Sequence, residues 1–522
     1  MVDSDWLLSS TVVRRRGGWG RAVDGWESLP GDLWRVRHCS HWLSLLLRFF
    51  FPFWEFPAYS LYDALVRPRS TAMVTSKVRS MSRSPHQHGS ILSQISCPHC
   101  WQRSKPHEIK WISAHPSLRD DPRVPDGQRR FLPTRFHVNG QAIDSMGERC
   151  SEIACPRCHL VIPRDLVELP VTYFSILGSP SSGKSYFLAS SLWKLRTTLS
   201  QRFALSFEDS DPVANHKLLE YEESLFLNSR GHKLAALPKT EMDGDLYEQV
   251  EVEPGRIMLL PRPFIFRMRT LPAHPQAVHG TLPGRAICLY DNAGEHFLPG
   301  AQTANSPGTR HLSVSKALLF LFDPTQHPSI RRACEGHSTD PQIRSDNVSF
   351  RQDHILNEAT RRIRAELGLR QDQRDKRPLI VVLTKYDAWC SLTGSRPLAD
   401  DWVIEAQPGG VSRLNVPLLR RVSEKFRGLV LKYVPEIVAT AEAFSEDVTY
   451  IPVSALGTSP EEIPGVPPAG DPPRAALGIR PENIRPQWPE IPLLYAIQRT
   501  IPGLLRSSQT PRPDNATEAA DD

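Results

Sequence analysis

The 522 residues contain no clean apolar stretch of 18 or more, so no segment reads as a helix that spans a bilayer. Cysteine is sparse, nine in all, and too scattered for a disulfide scaffold. An excess of one charge is missing too: 63 Lys and Arg stand against 57 Asp and Glu, a net of +6. Residues 1–90 hold 12 of the basic and 7 of the acidic side chains, which leaves the remainder nearly neutral. A nucleic-acid binder that works through a strongly basic domain is excluded by that balance, and no specific nucleic-acid partner is expected. What is abundant is proline, 47 residues, which implies long loops. Apolar content of 40% and charged content of 23% suit a globular chain of two to four domains.

The first ninety residues carry 6 of the 12 tryptophans, the run Arg14-Arg15-Arg16, and an apolar patch from Trp42 to Val66. Arg48, Pro52, Glu55, Pro57 and Asp63 break that patch, and neither helical nor strand period runs through it. A signal peptide is not expected, because the first apolar run is short and no cleavage site follows it. Two readings stand: a basic, aromatic segment that touches a membrane surface through residues 1–70, or sequence ahead of a native start at Met73 or Met81.

Four of the nine cysteines form two C-P-x-C knuckles, Cys97/Cys100 and Cys155/Cys158. Each tight turn aims two thiolates at one point, and two such turns supply the four sulfurs of a tetrahedral structural zinc site with no open position for chemistry. The 54-residue arm between them is longer than in the usual zinc ribbon, with a strand expected over Phe131 to Val138. Cys150, His99 and His159 lie near the knuckles; as lone neighbours they are read as outside the ligand set, the histidines as surface residues.

The stretch 171–192, VTYFSILGSPSSGKSYFLASSL, fits G-x-x-x-x-G-K-[ST] between an apolar strand and a helix expected over 184–200. Gly178 and Gly183 are read as supplying backbone angles closed to other residues, so that amides of Ser181, Ser182 and Tyr186 can turn toward an anion. Lys184 can reach β- and γ-phosphates, and the Ser185 hydroxyl can ligate Mg²⁺. The region from Asp209 to Glu223 and on to Asp245 reads as polar and rich in turns.

Apolar strands return at 264–268, 286–290, 317–322, 379–383 and 448–453, the last three nearly unbroken, as in a buried parallel sheet. Helical stretches are expected over 350–368 and 492–501. Several strands end in informative residues. Asp291 opens Asp-Asn-Ala-Gly294, where a carboxylate can hold Mg²⁺ and a glycine amide can meet a γ-phosphate. Thr384-Lys385-Tyr386-Asp387 ends another; a carboxylate there can accept from the N1–H and exocyclic amine of guanine, a donor pair adenine lacks. The Lys385 stem would lie along the base. Ser454-Ala455-Leu456 follows the last strand, small enough for its amides to approach the guanine O6. Residues 457–490 read as a long loop, and the chain after Ser507 as a disordered tail.

Taken in order, GSPSSGKS, DNAG, TKYD and SAL resemble the motif set of a Ras-like (TRAFAC-class) P-loop GTPase over about residues 165–505. The preceding knuckles and RPENIRPQWPEIPLLYAI also look like the bacterial double-GTPase group associated with conflict or signalling, although only one such domain is present. The resemblance implies an α/β P-loop NTPase fold with a mostly parallel sheet. A zinc-ribbon-like module at 91–165 precedes the P-loop domain at 166–505. A poorly ordered 1–90 segment and a 506–522 tail flank them. It implies GTP or GDP, Mg²⁺ and structural Zn²⁺ as bound groups, with Lys184, Gly294 and Glu295 at the reacting end. Glu295 stands where the family has a glutamine that orients water; its charge would repel the γ-phosphate, so hydrolysis is expected to be slow or to need a partner's arginine. Pro180 and Ser181 replace glycines of the family's loop. Thr240 is the expected switch ligand of Mg²⁺, with Thr270 and Thr281 as rivals. The expected role is a cytoplasmic molecular switch with an effector or activator protein. A non-hydrolysing, nucleotide-gated scaffold and a membrane-attached GTPase are the alternatives.

Overall fold

A computed structural model describes residues 91–238, 247–253, 255–277, 284–292, 297, 310–344, 351–394, 397–408, 410–465 and 476–508. Residues 1–90, Thr240, Thr281, Gly294 and Glu295 lie outside this set.

Residues 91–165 form a small β module. Arg130–Phe131, Lys110–Ile112, Ile153–Ala154 and Val161–Ile162 make one antiparallel sheet in that order. The strand expected over Phe131 to Val138 stops at Phe131; Pro133 cannot donate to a ladder, and only an isolated bridge from Phe136 to Ala142 follows. Asp144 organises the long arm instead. Its buried carboxylate accepts four backbone amides, from Ala114, His115, Met146 and Glu148.

The larger domain begins with β1 (Val171–Gly178), whose last seven residues are all buried. Helix α1 (Lys184–Phe203) follows and runs three residues past its expected end, to a left-handed cap at Ala204 (φ 52°). Its Leu188, Leu192, Leu195 and Leu199 recur at helical spacing and are fully buried, each contributing about 1.5–3 kcal/mol. The next region corrects the sequence reading: it is not a polar loop but β2 (Leu205–Asp209) and α2 (His216–Phe226). Then come β3 (Phe264–Thr270), β4 (Arg285–Asp291), the one-turn α3 (His311–Val314), β5 (Ala317–Phe322), α4 (Gln352–Leu367) and β6 (Asp375–Leu383). Helices α5 (Val416–Tyr433) and α6 (Pro435–Phe444), strand β7 (Ser445–Pro452) and α7 (Ile491–Thr500) complete the domain.

The seven strands lie in the order β2-β3-β4-β1-β5-β6-β7. The pairs from β4 to β7 are parallel; β2–β3 and β3–β4 are antiparallel. The chain leaves β1 toward β4 on one side and later returns to β5 on the other. The carboxyl end of β1 is therefore a topological switch point, where open α/β sheets hold ligands.

Strand alternation divides the two faces. Tyr173, Ile265, Ala286, Cys288 and Tyr290 point to one side and share an apolar cluster with Ile95 and the four knuckle cysteines. Phe174, Ile176, Phe264, Phe266, Ile287 and Leu289 point to the other and pack with α1. Residues 457–490 are less irregular than expected: Glu461–Glu462 pairs with Leu477–Gly478. The tail also stays ordered longer than expected, since Leu414 bonds Arg506 and Ser508 through the backbone.

Candidate functional site

The turn after β1 carries the phosphate-loop sequence, and its geometry sharpens the reading of its glycines. Gly183 has φ 88°, as expected. Gly178 has no positive φ; a Cβ there would meet the Leu321 carbonyl oxygen of β5 at 2.7 Å, so close strand packing is what requires glycine. A second left-handed position in the loop belongs to Ser181, at φ 59°. Left-handed backbone costs a side-chain-bearing residue on the order of 1–2 kcal/mol, a local strain held by its neighbours.

Those neighbours are identifiable. Thr384, at the end of β6, donates its hydroxyl to the Ser182 carbonyl at 3.0 Å. Lys385, itself at φ 55°, donates to the Ser181 carbonyl at 3.1 Å and pairs with buried Asp323 at 2.6 Å. Gln326 donates to the Pro180 carbonyl at 2.9 Å and accepts from Ser179 Oγ at 2.7 Å. Thr384 and Lys385 thus brace the loop rather than stand apart from it. The Gln326 clamp was missed from sequence, because an isolated glutamine after a strand carries no signal.

Within the loop, Lys184 Nζ rests on the carbonyls of Gly178 (3.2 Å) and Ser179 (2.9 Å). Ser182 Oγ is buried without a hydrogen-bond partner among the described residues. Ser185 lines the same cavity, and Asp291, 6% exposed, ends β4 in register with Ile176 of β1. A hydroxyl in the loop and a carboxylate at the end of the neighbouring strand are hard oxygen donors of the kind that suits Mg²⁺, although Asp291 does not itself line the cavity. Thr270 is removed as a rival: it pairs with Leu205, on the far edge of the sheet and at the opposite strand end from Asp291. Leu237 and Pro238 line the cavity just before the stretch that holds Thr240, and the Leu237 amide donates to Tyr186 Oη at 2.9 Å.

The cavity has a volume of about 280 Å³ and runs from Lys184 and Ser185 past Thr384 and Lys385 to Asp387, Ala455 and Leu456. At its far end, half-buried Asp387 accepts a hydrogen bond from Ser454 Oγ. Burial pushes the Asp387 carboxyl up to about 6, against the Ser454 hydroxyl; nearby Asp340 adds to the rise and Lys385 opposes it. Ser454 Oγ also accepts the Gly457 amide at 2.7 Å. Gly457 was not singled out from sequence, yet a Cβ on it would lie 1.7 Å from the Arg485 carbonyl oxygen. Arg485 and Gln487 bond back to Leu456 and Ser454, so the RPENIRPQW segment buttresses the SAL loop. Leu477, Gly478 and Ile479 wall this end, and Ala235 and Ile479 exchange two backbone bonds of 2.8 Å across it.

The cysteine cluster is a second built site. Cys97, Cys100, Cys155 and Cys158 are buried free thiols with all four sulfurs within 4.8 Å of one another. Cys97 and Cys158 lie 3.7 Å apart, Cys100 and Cys155 3.6 Å. A tetrahedral ion with 2.3 Å bonds to sulfur needs edges of about 3.8 Å, so the four residues fit zinc. Amides of His99 and Arg157 donate to Cys97 and Cys155 at 3.4 Å, orienting the sulfurs. His99 and His159 stay outside the cluster, but they are buried rather than on the surface. His99 bonds the Pro261 and Val161 carbonyls, and His159 pairs with Asp121 at 2.5 Å.

No protein-family model matches the chain, and no curated protein matches it. Among solved structures it is similar to Era in complex with MgGDPNP and nucleotides 1506–1542 of 16S ribosomal RNA. Identity is 13% over 56% of this chain and 53% of that one, with a TM-score of 0.21. It is similar to Sup35 complexed with GDP at 12% identity over 56% and 39%, with a TM-score of 0.20. A single-residue variant of Aquifex aeolicus Era bound to GDP.AlF4- gives 14%, 56% and 53%, with a TM-score of 0.19. The chain spans about half the length of the Era structures and less of Sup35.

Proposed function

We propose that this chain is a guanine-nucleotide-binding P-loop protein of the switch type, with a structural zinc in its cysteine cluster. The observation that carries the reading is the placement of Asp387. A carboxylate lining the same cavity as the phosphate loop suits the N1–H and amine donors of guanine. Ala455 and Leu456 would flank the base. Lys184 would exchange its loop carbonyls for phosphate oxygens, and Ser182 Oγ would gain an acceptor.

Ser185 and Asp291 would hold Mg²⁺, which supplies charge neutralisation at the phosphates when bound. Thr240 and Gly294 keep their proposed roles beside the γ-phosphate, and Glu295 is the reason hydrolysis is proposed to be slow or partner-stimulated. Eight free cysteines among the described residues fit a reducing compartment such as the cytoplasm. Among the described residues no helix is long and apolar enough to cross a membrane.

Titration with GDP, GTP and ATP tests the proposal. Guanine nucleotides are expected to bind at least about a hundredfold tighter; equal affinity for ATP rejects it. Single-turnover phosphate release separates a slow GTPase from a non-hydrolysing scaffold.

A further inference from the structure

The knuckle cysteines pack against one face of β4, the strand that ends at Asp291. Tyr290, the residue before Asp291 on β4, is 1% exposed and faces the module. Its hydroxyl donates to the Pro98 carbonyl at 2.5 Å, between Cys97 and Cys100, and accepts from Trp101 Nε1 at 3.0 Å, just beyond Cys100. One hydroxyl therefore spans the first knuckle from both ends.

The Tyr290 ring stacks on His311 with centroids 4.6 Å apart and planes 15° apart. His311 is fully buried; its Nδ1 lies 2.6 Å from Ser175 Oγ and its Nε2 2.8 Å from Asn292 Oδ1. Asn292 spends its amide nitrogen on the Ile176 carbonyl of β1 at 3.1 Å, which fixes Oδ1 toward the histidine. Nε2 must then carry a proton and donate, while Nδ1 meets the Ser175 hydroxyl, which also lies 2.6 Å from Ser315 Oγ. Arg377 holds α3 in place by donating to the carbonyls of Leu312, Ser313 and Ser315 at 2.8–3.0 Å.

The chain of contacts ends at Asn292, the second residue of the Asp291-Asn292-Ala293-Gly294 motif. Tyr290, His311, Ser175 and Asn292 are polar and almost wholly buried, so each of their bonds must be made to offset desolvation. We infer that Tyr290 and His311 are positioning residues that couple the metal-bound state of the Cys97–Cys100 knuckle to the Asp291–Asn292 strand end. Through that end they act on the preference of the site for a nucleoside triphosphate over a diphosphate. The preference rests on the nucleotide reading above; the coupling to Asn292 does not.

The test uses the full chain, Tyr290→Phe and, should that variant not fold, His311→Gln. Zinc content, hydrogen exchange of the 286–292 amides, and affinities for GDP and a non-hydrolysable GTP analogue are measured with zinc bound and after chelation. In the native chain, chelation is expected to speed exchange at Asp291 and Asn292 and to change the triphosphate preference about fivefold or more. Tyr290→Phe is expected to keep one zinc, to exchange faster at these two amides while loaded, and to lose the response of the preference to chelation. Native-like exchange and a native-like chelation response in zinc-loaded Tyr290→Phe overturn the coupling. A chain that binds no guanine nucleotide overturns the nucleotide reading instead, and the exchange data still decide the coupling.

Discussion

Asp387 and Ser454 stand 67 residues apart in the chain and share a hydrogen bond beside the cavity, the hydroxyl donating to the carboxylate. The same hydroxyl receives the Gly457 amide, so its donor is directed at Asp387 and its acceptor side is occupied. The carboxylate is oriented before any ligand arrives. Preorganisation of this kind lowers the ordering cost of binding.

Replacing Asp387 by Ala removes the acceptor for two guanine donors. GTP and GDP affinity are expected to fall about a hundredfold, near 3 kcal/mol, while the weak affinity for ATP stays within about twofold. Isothermal titration of both nucleotides measures the difference. An unchanged GTP affinity in this variant would sink the base assignment.

The position of Asp387 on the pH scale gives a second expectation. On the proposed reading guanine pairs with the ionised form, and burial pushes this carboxyl up to about 6 in the free chain. Guanine affinity should therefore hold above pH 6 and weaken as pH falls below it, approaching about tenfold per unit. The free chain behaves in the opposite sense. A folded pKa of about 6 exceeds the unfolded value of about 3.9, so this group's share of stability is present below pH 4 and lost as pH rises through 6. Melting curves with and without GDP between pH 4.5 and 7.5 should diverge accordingly.

Gly457→Ala places a methyl group 1.7 Å from the Arg485 carbonyl at a backbone φ of 70°. Neither partner is a flexible side-chain end, so the SAL loop or the 485–487 segment must move. A loss of about 3 kcal/mol or more in urea unfolding is expected. Gly428→Ala, in α5 with open space around it, is the control and should be neutral or slightly stabilising.

Cys100→Ser leaves three sulfurs. Metal content is expected to drop from one zinc per chain to near zero, and cobalt substitution should lose its tetrahedral thiolate absorption. Retention of one zinc by the variant would remove Cys100 from the ligand set.

Much of the sheet was legible because strands buried on both faces leave unbroken apolar runs, and its strand ends carry residues with few other uses. The failures have physical reasons. In α2, Leu218, Tyr221, Glu222 and Leu225 follow helical spacing, but Glu222 interrupts the apolar stripe and the segment reads as polar. Burial pushes that carboxyl up to about 7, with Arg196 3.6 Å away offsetting part of the cost. Gly178 is expected from sequence to supply a special backbone angle, whereas close strand packing is what requires glycine there, and such a clash leaves no local trace. Gln326, Gly457 and His311 each meet at least one partner more than 25 residues away, so only the folded chain reveals them.

The two backbone bonds between Ala235 and Ile479 join the approach to Thr240 with the wall beside the base. A ligand seated in the cavity is thus enclosed by a clasp whose halves lie 244 residues apart in sequence. Opening the cavity on this side requires both bonds to part, at a cost of about 1 kcal/mol each. On the nucleotide reading proposed above, a protein that grips either half is expected to speed ligand release without touching the ligand.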